Sequence, residues 1–405
     1  MKKVLFVIET LRGGGAERAV SNIVTHFPKE WEIDILINDE SLIGYPYRGN
    51  ILSLSRPEKK SFIYFTTNII KRIFYLRKLK KRNRYDACVS FLDSANISNI
   101  FSGKRYCKTI VSVRTDMMTK KSRRYDKFFS LILTKYLYRY ADQMTAVSEE
   151  IEWKLINWLG IPSYKVRTIV NGCDCKWIEK MMTLCPQDTM ADCVKKIEHR
   201  KLIVTIGRLV DQKGQWHLIR AFSEVIKKQP QAVLLILGVG PLKNYLAELI
   251  AAYGLGDSVF FVGQSDNPYW YLAMADVFVL SSLYEGYPNA LMEAICCDVP
   301  CIATDVHSGT REILAPALNV AGERVRGIVK AEYGILVPTC SGKKYSKKES
   351  IETGEQNMAD AIVMLLEDDQ ERKHYRDKSK ERSRDLDINQ VVNKWIGVIE
   401  ENAVC

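Results

Sequence analysis

The chain has no long apolar run, few histidines and no paired-cysteine spacing. No uninterrupted apolar stretch reaches the roughly 18 to 20 residues needed to cross a bilayer. The opening Met1-Lys2-Lys3-Val4-Leu5-Phe6-Val7-Ile8 has the basic start of a signal peptide, but its apolar run stops at Glu9 and no small-residue cleavage site follows. It reads as a first β-strand. Eleven cysteines are an odd number with no C-x-x-C pair, and Cys296, Cys297 and Cys301 lie in apolar surroundings where a thiol packs as a small hydrophobe. That pattern argues against a disulfide framework or a metal site, and for a reducing compartment. The expectation is a cytoplasmic protein, peripheral at most to a membrane.

What is present is enough for two folded domains. At 405 residues, 47% hydrophobic and 26% charged, the chain exceeds one ordinary domain and has no segment depleted of apolar residues. Its charge is divided. Residues 1–172 carry 31 Lys and Arg against 16 Asp and Glu, whereas residues 173–405 carry 28 against 32. The basic surplus belongs to the first half, and a field of that sign attracts phosphates.

Short apolar runs alternate with helical patterns. The runs Val4–Ile8, Glu32–Ile37, Ala87–Phe91, Thr109–Val113, Gln143–Val147 and Val166–Val170 predict one parallel sheet with covering helices. Leu202–Ile206, Val233–Leu237, Val259–Val262, Val277–Leu280 and Pro300–Ala303 predict a second. The fold class is therefore α/β, two doubly wound Rossmann-like domains facing across a cleft at the carboxyl ends of their strands. We place the first domain at 1–172, a linker at 173–200 and the second domain at 201–387, with a terminal helix from 388 that can pack back on the first. Residues 339–357 read as an exposed polar loop.

Three motifs fall at strand ends. Arg12-Gly13-Gly14-Gly15-Ala16-Glu17-Arg18 follows the first strand and opens a helix, where free N–H groups favour an anion such as phosphate. It is neither G-x-G-x-x-G nor a Walker loop. In Gly207-Arg208-Leu209-Val210-Asp211-Gln212-Lys213-Gly214, Arg208 and Lys213 can converge on one diphosphate and neutralise the charge of a leaving nucleotide. Glu285-Gly286-Tyr287-Pro288-Asn289-Ala290-Leu291-Met292-Glu293 puts two carboxylates, acceptors for vicinal sugar hydroxyls, on either side of a Gly-x-Pro loop at a helix start.

These residues, with Val170-Asn171-Gly172 and Asp174, resemble the retaining, nucleotide-sugar-dependent glycosyltransferases of the GT-B fold, family 4. The resemblance implies that Arg208 and Lys213 bind the donor diphosphate, Glu285 the donor sugar and Glu293 the ribose. It also implies that Gly207, Gly286, Tyr287, Pro288, Asn289 and Ala290 hold phosphate and sugar, while Gly14 and Gly15 lie near the transferred sugar. No metal or other cofactor is implied. The donor would be a UDP-sugar or another nucleotide sugar, and the acceptor a growing surface glycan or a lipid-linked one. In one respect the sequence departs. Many family members carry a histidine where this chain reads Val113-Arg114-Thr115-Asp116, so Arg114 and Asp116 are candidates for phosphate and acceptor contacts, with a plain surface loop as the alternative.

Residues 62–84 form a basic amphipathic pattern. Phe62, Phe65, Ile69, Ile73, Leu76 and Leu79 recur at helical spacing among Arg77, Lys78, Lys80, Lys81, Arg82 and other cations, with no acid. A second basic cluster runs from Lys120 to Lys127. Both suggest contact with an anionic membrane surface, against the plainer reading of a covering helix with solvated cations. Two other functions remain in view. One is a non-transferring enzyme of the same fold, such as a sugar-nucleotide epimerase, which would want carboxylates and a histidine poised together. The other is nucleic-acid binding, suggested by charge alone without any recognised motif.

Overall fold

The computed structural model describes residues 2–55, 62–115, 135–186, 197, 199–306, 308–345 and 349–401, apart from the side chains of residues 42 and 62–65. The chain divides into two compact units, Met1–Gly172 with Ile388–Cys405, and Cys173–Asp387.

The first unit runs β1 (Lys3–Val7), α1 (Gly15–His26), β2 (Glu32–Ile37), β3 (Asn50–Ser53), α2 (Phe62–Asn83), β4 (Ala87–Phe91), α3 (Asp93–Phe101), β5 (Lys108–Val113), β6 (Gln143–Ala146), α4 (Glu149–Asn157) and β7 (Val166–Thr168). Its strands make one parallel sheet in the order β3-β2-β1-β4-β5-β6-β7. A strand buried on both faces must be apolar throughout, and β1 shows why. Val4 and Phe6 face a core with Val20, Ile23 and Trp395, while Leu5 and Val7 face another with Leu76 and Tyr85.

The second unit runs α5 (Cys175–Met182), β8 (Lys201–Ile206), α6 (Gln215–Lys228), β9 (Ala232–Leu237), α7 (Lys243–Ala252), β10 (Val259–Gly263), α8 (Pro268–Ala273), β11 (Val277–Leu280), α9 (Asn289–Cys296), β12 (Cys301–Thr304), α10 (Thr310–Leu314), β13 (Val329–Lys330), β14 (Ile335–Val337), α11 (Thr353–Glu367) and α12 (Asp369–Asp385). The sheet order is β10-β9-β8-β11-β12-β14-β13, parallel except for the last pair. Both sheets reverse their winding direction beside their first strand, at β1/β4 and β8/β11. Parallel sheets bind ligands at the carboxyl end of such a reversal.

The last helix, α13 (Ile388–Glu400), belongs to the first unit, where Trp395 is fully buried with its ring 5.5 Å from Phe91. Two expectations need correction. The stretch read as the start of a linker is the helix α5, capped by Asp174 and packed through Trp177 on Tyr269 of α8. The stretch read as an exposed loop is tied down between residues 341 and 345. There the Lys343 carbonyl accepts from Trp216 Nε1 at 2.9 Å, and the Gly342 N–H donates to His217 Nε2 at 3.2 Å.

Candidate active site

The second unit builds its site from two loops at the β8/β11 reversal. After β8, Gly207 passes so close to Lys213 that a Cβ there would sit 3.3 Å from its aliphatic stem, and Gly214 takes a left-handed φ of +58° against the Ser281 carbonyl. Side chains at either position would displace Lys213 or strain the turn. The turn is further held by Ser281 Oγ, which donates to the Lys213 carbonyl at 3.0 Å. Lys213 is thereby aimed across the loop.

Its target is Glu285. Lys213 Nζ lies 2.5 Å from Glu285 Oε1, Ser282 Oγ donates to the same oxygen at 2.6 Å, and Gln212 Nε2 donates to Oε2 at 3.2 Å. Glu285 is only 5% exposed. A carboxylate that deep needs a counter-charge and hydrogen bonds, and here it has both. Arg208 remains exposed at the same loop and makes no ion pair among the described residues. Of the two cations, Lys213 alone pairs with Glu285 among the described residues. They nevertheless share a neighbourhood. Burial pushes the Tyr284 hydroxyl up, Asp211 and Glu285 push it further, and Arg208 opposes them.

The loop between the two carboxylates is braced from behind. Ser308 Oγ donates to the Glu285 and Gly286 carbonyls at 2.6 and 2.9 Å. Gly309, at φ +78°, lies against Pro288 and Gly286 so tightly that a Cβ would fall 2.7 Å from Pro288 Cδ. Pro288 is the extended residue before α9 and offers no side-chain cap. Tyr287 is buried. Asn289 and Ala290 form the first turn of α9, whose N–H groups lie beyond the helix's own ladder by geometry. One turn on, Glu293 Oε1 accepts from Tyr269 OH at 3.2 Å. Sequence reasoning missed Gln212, Ser282, Tyr269, Ser308 and Gly309. Of these only Gln212, inside the Gly207–Gly214 loop, lay within a stretch the sequence had marked.

In the first unit Gly14 precedes α1, and the Glu17 carboxylate lies so close over it that a Cβ there would collide with it. Gly15 opens α1 beside it. Arg114 follows β5 directly, its Nη2 donating to Asn171 Oδ1 and its guanidinium 5.6 Å from the Phe91 ring. Asp116 and the cluster from Lys120 to Lys127 lie outside the described residues.

The basic helix α2 needs the largest correction. Arg72, Leu76 and Lys80, four residues apart, all point inward. Lys80 is fully buried, its ammonium donating to Asn99 Oδ1 at 2.7 Å, the Asn99 carbonyl at 3.1 Å, the Gly103 carbonyl at 3.3 Å and Thr109 Oγ1 at 3.3 Å, so it cannot meet a membrane. Arg77 Nη2 donates to the Phe101 carbonyl at 3.1 Å. Lys78, Lys81 and Arg82 are exposed, beside Ile70, Phe74 and Phe101 at 52%, 66% and 52% exposure.

One group has metal-ligand character among the described residues: His217, Cys340 and Glu352 in the second unit. His217 Nε2 accepts the Gly342 N–H, so Nδ1 carries the proton and faces Glu355 at 2.7 Å, where Arg220 Nε also donates. The trio is a satisfied internal network.

Two Rossmann-like sheets, each with a glycine-bearing strand-to-helix loop at its reversal, and a lysine–carboxylate pair beside a Gly-x-Pro helix start, define a glycosyltransferase of the GT-B class. The chain belongs to glycosyltransferase family 4: residues 13–177 match Glycosyltransferase Family 4, and residues 187–332 match Glycosyl transferases group 1. It is 32% identical to an uncharacterized glycosyltransferase of Methanocaldococcus jannaschii, over 86% of this chain and 87% of that protein. It is 27% identical, over 96% of both chains, to a Campylobacter jejuni N-acetylgalactosamine-N,N'-diacetylbacillosaminyl-diphospho-undecaprenol 4-alpha-N-acetylgalactosaminyltransferase. The crystal structure of Anabaena HepE with UDP and glucose superposes with a TM-score of 0.74 at 16% identity, covering 99% of this chain and 100% of that one. Among the described residues no helix is long and apolar enough to cross a membrane.

Proposed function

We propose that the protein moves a sugar from a UDP-type nucleotide donor onto a lipid-linked or growing surface glycan, with retention at the anomeric carbon and without a metal. The observation that carries this reading is the Glu285 carboxylate, buried and held by Lys213, Ser282 and Gln212. A fixed carboxylate is a ready acceptor for sugar hydroxyls, and its lysine is already placed to share its charge with an arriving diphosphate. Arg208, exposed and making no ion pair among the described residues, is available for the same task. In the transfer the bond from the anomeric carbon to the diphosphate oxygen breaks as the acceptor oxygen attacks from the same face, and the acceptor proton passes to the departing diphosphate. Arg208 and Lys213 supply the positive charge that a divalent ion would otherwise bring. The Campylobacter relative, named for a diphospho-undecaprenol acceptor, supports a lipid-linked one here. The UDP held by HepE is in keeping with the donor class.

The outer face of α2 supports peripheral attachment. Exposed Ile70, Phe74 and Phe101 beside Lys78, Lys81 and Arg82 join apolar and cationic contacts, as binding at an anionic bilayer surface requires. The deciding experiment offers a panel of nucleotide sugars to the full chain and follows both thermal stabilisation and transfer to a lipid-diphosphate acceptor. Stabilisation and transfer with one UDP-sugar are expected. No transfer with any donor, or equal stabilisation by all nucleotides, would remove the reading.

A further inference from the structure

Glu293 stands four residues beyond Asn289 in α9, about 6 Å along the helix axis. Helical side chains lean toward the N-terminus, which carries its carboxylate back toward a first turn whose N–H groups suit a phosphate. In a nucleotide donor the group bonded to the innermost phosphate is a ribose, and a carboxylate accepts hydrogen bonds from vicinal hydroxyls. The orientation of this carboxylate therefore matters, and a tyrosine of another helix sets it. Tyr269 OH donates to Glu293 Oε1 at 3.2 Å.

Tyr269 is enclosed on α8 and is itself held from α5. Trp177 of α5 meets its ring edge-on, the centroids 5.4 Å apart and the planes at 82°. At the start of α8 the buried Asn267 side chain donates to two carbonyls at the end of α5, that of Met181 at 2.7 Å and that of Leu184 at 2.6 Å. Asn267 thereby fastens α8 to α5, and the tyrosine ring has no freedom to swing. Phenylalanine would fill the same space, so the hydroxyl has a purpose beyond packing. Its partner is not a backbone carbonyl sealed in the core but a half-buried carboxylate one turn from the Gly-x-Pro loop.

We infer that Tyr269 is a positioning residue, its hydroxyl fixing the Glu293 carboxylate to receive the ribose hydroxyls of the nucleotide donor. The inference rests on the glycosyl-transfer reading for its ligand. Tyr269 does not touch the nucleotide. It acts through Glu293, and α5 acts through Tyr269, by way of Asn267 and Trp177.

The test uses the full chain and the variants Tyr269→Phe, Glu293→Gln and the two combined, titrated calorimetrically with UDP and with 2′-deoxy-UDP. The parent should prefer UDP by about ten-fold, the worth of one hydrogen bond to a charged acceptor. Tyr269→Phe should narrow that preference to about two-fold by weakening UDP alone, and should raise KM for the nucleotide sugar with little change in kcat. A merely structural tyrosine would weaken both nucleotides together and leave their ratio unmoved. Glu293→Gln should narrow the ratio as far, and the double variant no further, because the two residues act as one. A ratio in Tyr269→Phe within two-fold of the parent's overturns the inference, as does a parent that does not distinguish the two nucleotides. Nucleotide discrimination as expected without transfer to any acceptor sinks the transfer reading and leaves the role of Tyr269 standing, whereas a parent that binds no UDP removes both.

Discussion

Glu285 and Lys213 are best understood as one object, because each makes the other's depth tolerable. Removing the lysine leaves a buried carboxylate with only Ser282 and Gln212, so Lys213→Met should destabilise the protein by about 2 to 3 kcal/mol, seen as a lower denaturation midpoint. Adding Glu285→Gln in the same chain should recover most of that stability while leaving the enzyme inactive. A double variant as unstable as the single one would show the pair to be unimportant to folding. Alone, Glu285→Gln should lower kcat/KM on the order of a hundred-fold, the worth of about two hydrogen bonds to a charged acceptor. Steady-state kinetics with the identified donor measures it. The two members of this pair were legible in the sequence, since both follow strands and flank glycines. Their contact was not, because 72 residues separate them and only the β8/β11 pairing brings the two loops together.

Elements reveal where a helical pattern misleads. The expected helix over residues 62–84 is present as Phe62–Asn83, yet its cations divide between inside and outside in a way composition cannot foresee. A helical wheel sends every lysine to water. Lys80 instead faces α3 and β5, where Asn99 and Thr109 offer oxygens that no local pattern announces. Lys80→Ala should therefore lower the melting temperature by several degrees, about 2 kcal/mol for unsatisfied buried oxygens, and leave vesicle binding intact. Reversing Lys78, Lys81 and Arg82 to glutamate should do the opposite, releasing the protein from anionic vesicles in sedimentation with its melting temperature held within about one degree. The turn at Ser308 and Gly309 is a second case. Its glycine reads as ordinary until the loop at Pro288 is seen against it. Gly309→Ala should cost about 1 to 3 kcal/mol through its φ of +78° and the nearby Pro288, and should lower kcat/KM further by shifting the Glu285 loop.

At the scale of the whole chain, the two-sheet architecture and its strand-end motifs were readable because parallel strands are apolar throughout and each motif sits between a strand and a helix. The boundary was harder, since α5 is short and amphipathic and looks like the polar stretch that follows it. If the proposed peripheral attachment holds, the first half's excess of positive charge should make vesicle binding salt-dependent, and raising ionic strength toward 0.5 M should weaken it several-fold while leaving nucleotide affinity less affected. The path of the chain has a consequence of its own. The first unit is closed by α13, whose Trp395 fills the core beneath Phe91, so its fold needs two stretches of chain separated in sequence by the whole second unit. The second unit is continuous from Cys173 to Asp387, whereas the first stays incomplete until α13 is in place. Cutting the chain after Asp387 should thus yield a protease-resistant core from the second unit alone, with the first unit open to digestion.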